Sequence, residues 1–224
     1  LTVVFALALA GCTAYAYANS TKIAGLFGPP AVVMVETYAE KPDGPQFDHS
    51  GFSAVLSKHV DDAGLVDYAA LKADPAALDA YIASLAKAPL ADMGRNERLT
   101  LLINAYNAFT LRLILDHYPI KSIKDIPADQ RWDARQWNIG GNVWSLSQIE
   151  HEQVRPHFKE PRIHFALVCA AIGCPPLRNE AYATDRLDEQ LAAQAQYVHT
   201  HDGWFQFDAN AGVVRLTSLY NWYA

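Results

Sequence analysis

The sequence predicts an α+β fold, in which a buried central helix packs on a small, mainly antiparallel sheet with flanking helices. Three observations predict it. Residues 97–118 read as one long helix that is apolar nearly all round, through Leu99, Leu101, Leu102, Ile103, Phe109, Leu111, Leu113, Ile114 and Leu115. Such a helix lies inside a domain rather than on its surface. Two hairpins are signalled, one by Gly140-Gly141 between residues 136–139 and 142–146, the other by residues 208–212 between 205–207 and 213–216. Residues 163–168 form an apolar run broken only by His164, and this reads as a strand buried on both faces.

The remaining elements follow in order. Residues 19–46 hold Gly28-Pro29-Pro30 and Lys41-Pro42-Asp43-Gly44-Pro45 and read as a linker, with 31–35 able to dock as an edge strand. A single folded domain is expected over residues 47–224. It begins with a short amphipathic helix carrying Phe52, Val55, Leu56 and Val60, capped by Ser50 or Ser53 and broken at Gly64. Asp74-Pro75 opens a helix over 76–88, with Leu78, Tyr81, Ile82 and Leu85 on one face. Asn96 is placed to cap the long helix. Ser147 and Glu150 have the spacing of a capping box, and His151 and Arg155 stand four apart on that same short helix. Asp185 is placed to cap a helix through Leu187, Leu191, Ala195 and Val198, and Ser218 starts a last helix.

Composition bounds the function. The chain has 224 residues, 51% hydrophobic and 19% charged, which is enough to build an ordinary core. Its net charge of −6, with Lys and Arg scattered, argues against a nucleic-acid partner. The first residues, LTVVFALALAGC, form an apolar segment too short to span a bilayer. With no Met and no basic lead, residues 1–18 read as a signal segment whose start is missing. Leu9-Ala10-Gly11-Cys12 reads as a lipobox that would place a lipid on Cys12; cleavage after Ala18 is the competing reading. Both lead to a periplasmic or secreted location, where a lipid anchor would be the one membrane attachment. Under the lipobox reading, Cys169 and Cys174 are left as a pair in an oxidising compartment.

Leu102-Ile103-Asn104-Ala105-Tyr106-Asn107-Ala108, Tyr118-Pro119 with Ser122-Ile123-Lys124-Asp125, Ile149-Glu150-His151, and residues 162–178 with Glu180-Ala181-Tyr182 occur in this order. Together they resemble a bacterial and plant family known only as domain of unknown function 547, over residues 47–223. The resemblance implies an envelope or secreted setting in bacteria and assigns no activity. It also implies that members continue beyond Trp222-Tyr223, so the chain is expected to be cut short at its C-terminus.

The chemistry concentrates in residues 162–182, where two cysteines, His164, Arg162 and Arg178 lie beside the expected strand. A thiol nucleophile needs a base. His164 and Cys169 are ~16 Å apart on opposite faces of a strand, and about 140° apart on a helix, so they form no dyad in either. Cys169 as nucleophile would take His151 as base, with Glu150 or Asn104 to orient it. Cys174 in the turn is the alternative nucleophile, within reach of His164 only if the turn folds back. Asn104, Asn107 and Thr100 share one face of the long helix and would either brace loop backbone or, with His164, Cys174 and Arg178, line a site. Two function classes follow. One is a thiol-dependent acyl-transfer hydrolase acting on a small-molecule or peptide substrate. The other is a non-catalytic binding or scaffold domain with a Cys169–Cys174 disulfide. A metal site from Cys169, Cys174, His151 and His164 ranks below both, and no cofactor motif is present.

Overall fold

The computed structural model describes residues 32–171 and 173–222. They fall into two compact units, Val33–Phe205 and the residues from Gln206 onward, where one domain over 47–224 was expected. The signal segment with Cys12, and the linker as far as residue 31, lie outside the described residues.

The first unit is built around a helix, and the sequence shows why. In α1 (Ser50–His59), α2 (Tyr68–Ala73) and α3 (Ala76–Leu85), apolar side chains recur at helical spacing, and Phe52, Leu56, Leu71, Leu78 and Leu85 are fully buried. α2 and α3 pack against α4 (Arg95–His117), and α1 rests on α3 and α2; Leu99, Leu101, Ile103, Phe109 and Leu115 of α4 are inaccessible to solvent. Its ends are satisfied from elsewhere in the chain. Glu97 in its first turn accepts from Phe47 N at 2.6 Å and from the Thr184 hydroxyl, while Lys72 Nζ donates to Leu115 O at 2.6 Å near its C-terminus. The N-cap is Gly94 rather than the expected Asn96.

After the short α5 (Ala128–Arg131), β1 (Trp137–Ile139) pairs antiparallel with β2 (Asn142–Trp144) in the register Trp137–Trp144 and Ile139–Asn142. Both turn glycines have positive φ, 58° and 82°. A Cβ on Gly140 would also stand 2.5 Å from Ala88 O, so the hairpin tip presses directly on the chain after α3. Trp137 buries its ring against Phe109, with centroids 4.4 Å apart. The capping box expected at Ser147 and Glu150 forms two residues earlier, between Ser145 and Gln148, and opens α6 (Leu146–Gln148). That turn runs into a π-helix, Ile149–Val154, marked by the bond from Arg155 N to Glu150 O at 2.9 Å.

Residues 163–168 correct the strand expectation. Ile163–Ala166 is one helical turn, α7, and the chain then runs on as a loop. Among the described residues no neighbouring strand supplies a ladder; the Asn107 side chain takes its place, donating to Ala166 O at 3.0 Å and accepting from Val168 N at 2.9 Å. Ile163, His164, Ala166 and Leu167 of the run are buried while Phe165 and Val168 are half-buried, since periodicity reports burial and cannot by itself separate a buried strand from a buried turn. Packing of α7 against α8 (Leu187–Thr200) completes the core of this unit. The linker reading also fails from Val33 on. Thr37 N donates to His157 O at 3.0 Å and Arg95 N to Ala39 O at 3.0 Å, and the Arg98 guanidinium lies 4.2 Å from the Tyr38 ring centre. Residues 33–46 are an extended strap on the domain, held by backbone bonds that composition does not report.

The second unit contains most of the hairpin of β3 (Phe205–Asp208) and β4 (Val213–Leu216), and a final turn, α9 (Leu219–Trp222). Phe207, Val213, Val214 and Leu216 are exposed on it. The fold is thus α+β, with two separate two-stranded sheets in place of one sheet beneath the helix.

Candidate functional site

The residues singled out from the sequence fall into three settings. Asn104 and Asn107 are buried on α4, and both spend their amides on backbone. Asn104 donates to Tyr182 O and accepts from Tyr182 N, each at 2.9 Å, just as Asn107 brackets Ala166 and Val168. These are neutral two-point clamps that hold the two loops bounding residues 167–182 against the helix. Thr100, on the same face, has its hydroxyl buried with no partner among the described residues.

The second setting is ionisable. Glu150 sits on the π-helix, buried, and accepts from the Tyr106 hydroxyl at 3.1 Å. His151 Nδ1 meets Arg155 Nη1 at 3.1 Å, and Arg155 is itself buried. His164 is buried near both. Loss of hydration first, then the charge of Arg155 and the proximity of His151, lower its pKa to about 3, so its ring is neutral at pH 7. The π-helix matters here because its wider turn places Glu150 toward Tyr106 while His151 and Arg155 stay adjacent.

The third setting is the cysteine loop. Cys169 and Cys174 are joined in a disulfide, with Cα atoms 6.3 Å apart. Ala170, inside the bridged loop, has φ 55°, an unusual conformation for a residue with a Cβ. In this state neither sulfur is a thiolate, and His151 is engaged with Arg155. Arg178, grouped with these residues from the sequence, instead pairs with Glu180 and lies 5.9 Å from the Tyr182 ring centre. Among the described residues, no group of three His, Cys, Asp or Glu side chains is placed to hold a metal ion.

Beside the bridged loop the structure opens a cavity of about 310 Å³, which sequence reasoning missed. One wall is α4 at Asn107, Thr110 and Leu111; the others are residues 63–66 with Tyr68, the loop 168–177, and Trp204. Cys174 contributes to the lining, and the Trp204 indole donates to Gly173 O at 3.2 Å. Gly64 draws the first loop in: at φ 77°, a Cβ there would stand 2.3 Å from Pro176 Cβ and 2.9 Å from Leu177 N. Its signal in the sequence was Gly64 itself, read as a helix breaker when its role is a close approach. A second, wider and more polar cleft lies at Asp48, His49, Ser53, Glu97 and Asp185. His49 there meets the Tyr81 hydroxyl at 2.8 Å, and burial lowers its pKa to about 4.

Fold and loop together define a helix-centred α+β domain whose disulfide-bridged loop walls an apolar cavity. Residues 90–197, which span α4, the first hairpin, the π-helix, the bridged loop and nearly all of α8, match the family described as "Protein of unknown function, DUF547". Residues 90–197 therefore make up a DUF547 family domain. No curated protein and no solved structure gives a significant match.

Proposed function

We propose that this is an exported, non-catalytic binding domain in which the Cys169–Cys174 bridge holds the wall of a small apolar cavity. The observation that carries the reading is the placement of both sulfurs in one bond at the cavity edge, with Asn104 and Asn107 committed to backbone. A nucleophile would need a free thiolate and a base, whereas a wall needs a rigid loop. An oxidising compartment supports the bridge, and residues 1–18 with Cys12 supply a route to it. No helix among the described residues is long and apolar enough to cross a membrane, so a lipid on Cys12 is the attachment this reading offers.

Thiol titration of the full chain carrying Cys12→Ser tests it. The untreated native protein should show no reactive thiol, and two should appear after reduction in denaturant. Alkylation of a single cysteine at low pH in the untreated protein would overturn the reading. It would favour instead a thiol-dependent acyl-transfer hydrolase with Cys169 as nucleophile and His151 as base.

A further inference from the structure

The lining of the cavity specifies the chemistry of what fits it. None of the described residues on its walls is charged, so an ion placed there would lose its hydration with no counter-charge, at a cost of several kcal/mol. At about 30 Å³ for each water in the liquid, 310 Å³ corresponds to roughly ten waters, the bulk of a molecule of about ten heavy atoms. Cavities of this size and apolarity are typical of small-ligand sites.

The polar side chains on the walls narrow the class further. Four carry donors: Asn107, Thr110, Trp204 and Tyr68. Asn107 Nδ2 gives one of its two N–H groups to Ala166 O, the Thr110 hydroxyl donates to Tyr106 O at 2.9 Å, and the Trp204 indole to Gly173 O. The Tyr68 hydroxyl has no hydrogen-bond partner among the described residues. Burial raises its pKa to about 12, which keeps it a protonated donor at any physiological pH. Its ring lies beside that of Tyr118, with centroids 6.5 Å apart and planes at 30°.

We propose that the cavity binds a small uncharged molecule with an apolar body and one oxygen acceptor, of the ketone, ester or alcohol class, whose oxygen receives the Tyr68 hydroxyl. This rests on the binding-domain reading and names its ligand class. The acceptor satisfies the one donor-bearing side chain on the described walls that makes no hydrogen bond, while the apolar remainder packs against Leu111, Val168, Pro176 and Leu177.

Acetophenone, ethylbenzene and benzoate form a matched series: nearly one shape, with a carbonyl, no polar group and a charge respectively. Each is titrated calorimetrically into the full chain, its Tyr68→Phe variant, and Ala171→Trp, which fills the cavity from a half-buried loop position. Acetophenone should bind about threefold to tenfold more tightly than ethylbenzene, the range a single neutral hydrogen bond supplies, and benzoate more weakly than either. Tyr68→Phe should erase the gap between the first two and leave ethylbenzene unchanged. Ala171→Trp should abolish both. Benzoate binding as tightly as acetophenone, or a gap that survives Tyr68→Phe, would overturn the ligand class while the cavity remained a site. If none of the three binds the unsubstituted chain, or if Ala171→Trp leaves binding intact, the binding-domain reading itself falls, and the ligand class with it.

Discussion

The central helix α4 is gripped in two different ways. At Asn104 and Asn107 it holds loop backbone through neutral amides, each making one donated and one accepted bond of 2.9 to 3.0 Å. At Tyr106 it meets the π-helix, where Glu150, His151, Arg155 and, from α7, His164 bring ionisable groups into the interior. An amide clamp depends on geometry alone, and its strength does not change with pH. An ionisable cluster depends on which groups carry protons. The difference teaches that the loops framing the cavity are held by the pH-independent grip, while sensitivity to acid resides in buried histidines, His164 next to the π-helix first among them.

The sharpest way to break that contrast is to remove a clamp. Asn107→Ala leaves Ala166 O and the part-buried Val168 N without partners, at about 1–3 kcal/mol for each group, so a total loss of about 2–6 kcal/mol is expected in a denaturant titration. A change below 0.5 kcal/mol would mean that water replaces the amide. The clamp should also lose the same amount at pH 7 and at pH 5.

Acid tests the other grip. His164 has a folded-state pKa of about 3, below its ordinary value of 6.5, so between those values the unfolded chain binds more protons than the folded one. Stability should therefore fall as pH drops below 6.5, by about 3 kcal/mol from pH 7 to pH 4, at ~1.4 kcal/mol per unit. His49, lowered to about 4, adds in the same direction. The measurement is the urea midpoint as a function of pH in the native sequence and in His164→Leu. If both curves have the same slope, the acid sensitivity lies elsewhere.

Reducing the Cys169–Cys174 bridge, or replacing both residues with serine, should cost about 2 kcal/mol from the chain entropy of so short a loop. The cavity should suffer more than the core does. Tyr106→Phe is the smallest test, with an expected cost of about 1.5 kcal/mol from one hydrogen bond to a carboxylate.

Much of the frame was legible in the residues. The all-round apolar pattern of Leu99 to Leu115 announced a buried helix, and Gly140-Gly141 announced the hairpin, because helical spacing and positive-φ turns are local properties. The spacing of Asn104 and Asn107 put two amides on one buried face, and burial obliged them to find partners. Those partners were not legible. Ala166, Val168 and Tyr182 are 59, 61 and 78 residues away along the chain, and no local pattern encodes such a distance.

The sequence by itself determined which segments are buried, where the chain turns, and that Cys169 and Cys174 are near enough to join. Tertiary structure decided that residues 163–168 make a turn and a loop, that residues 33–46 bind to the domain, and that a cavity opens where Tyr68, Asn107, Cys174 and Trp204 converge. The physical reason is common to all three. Burial is set by a residue's own hydrophobicity and its close neighbours, whereas a backbone group's partner, or the shape of a void, depends on atoms that the folded chain alone brings together.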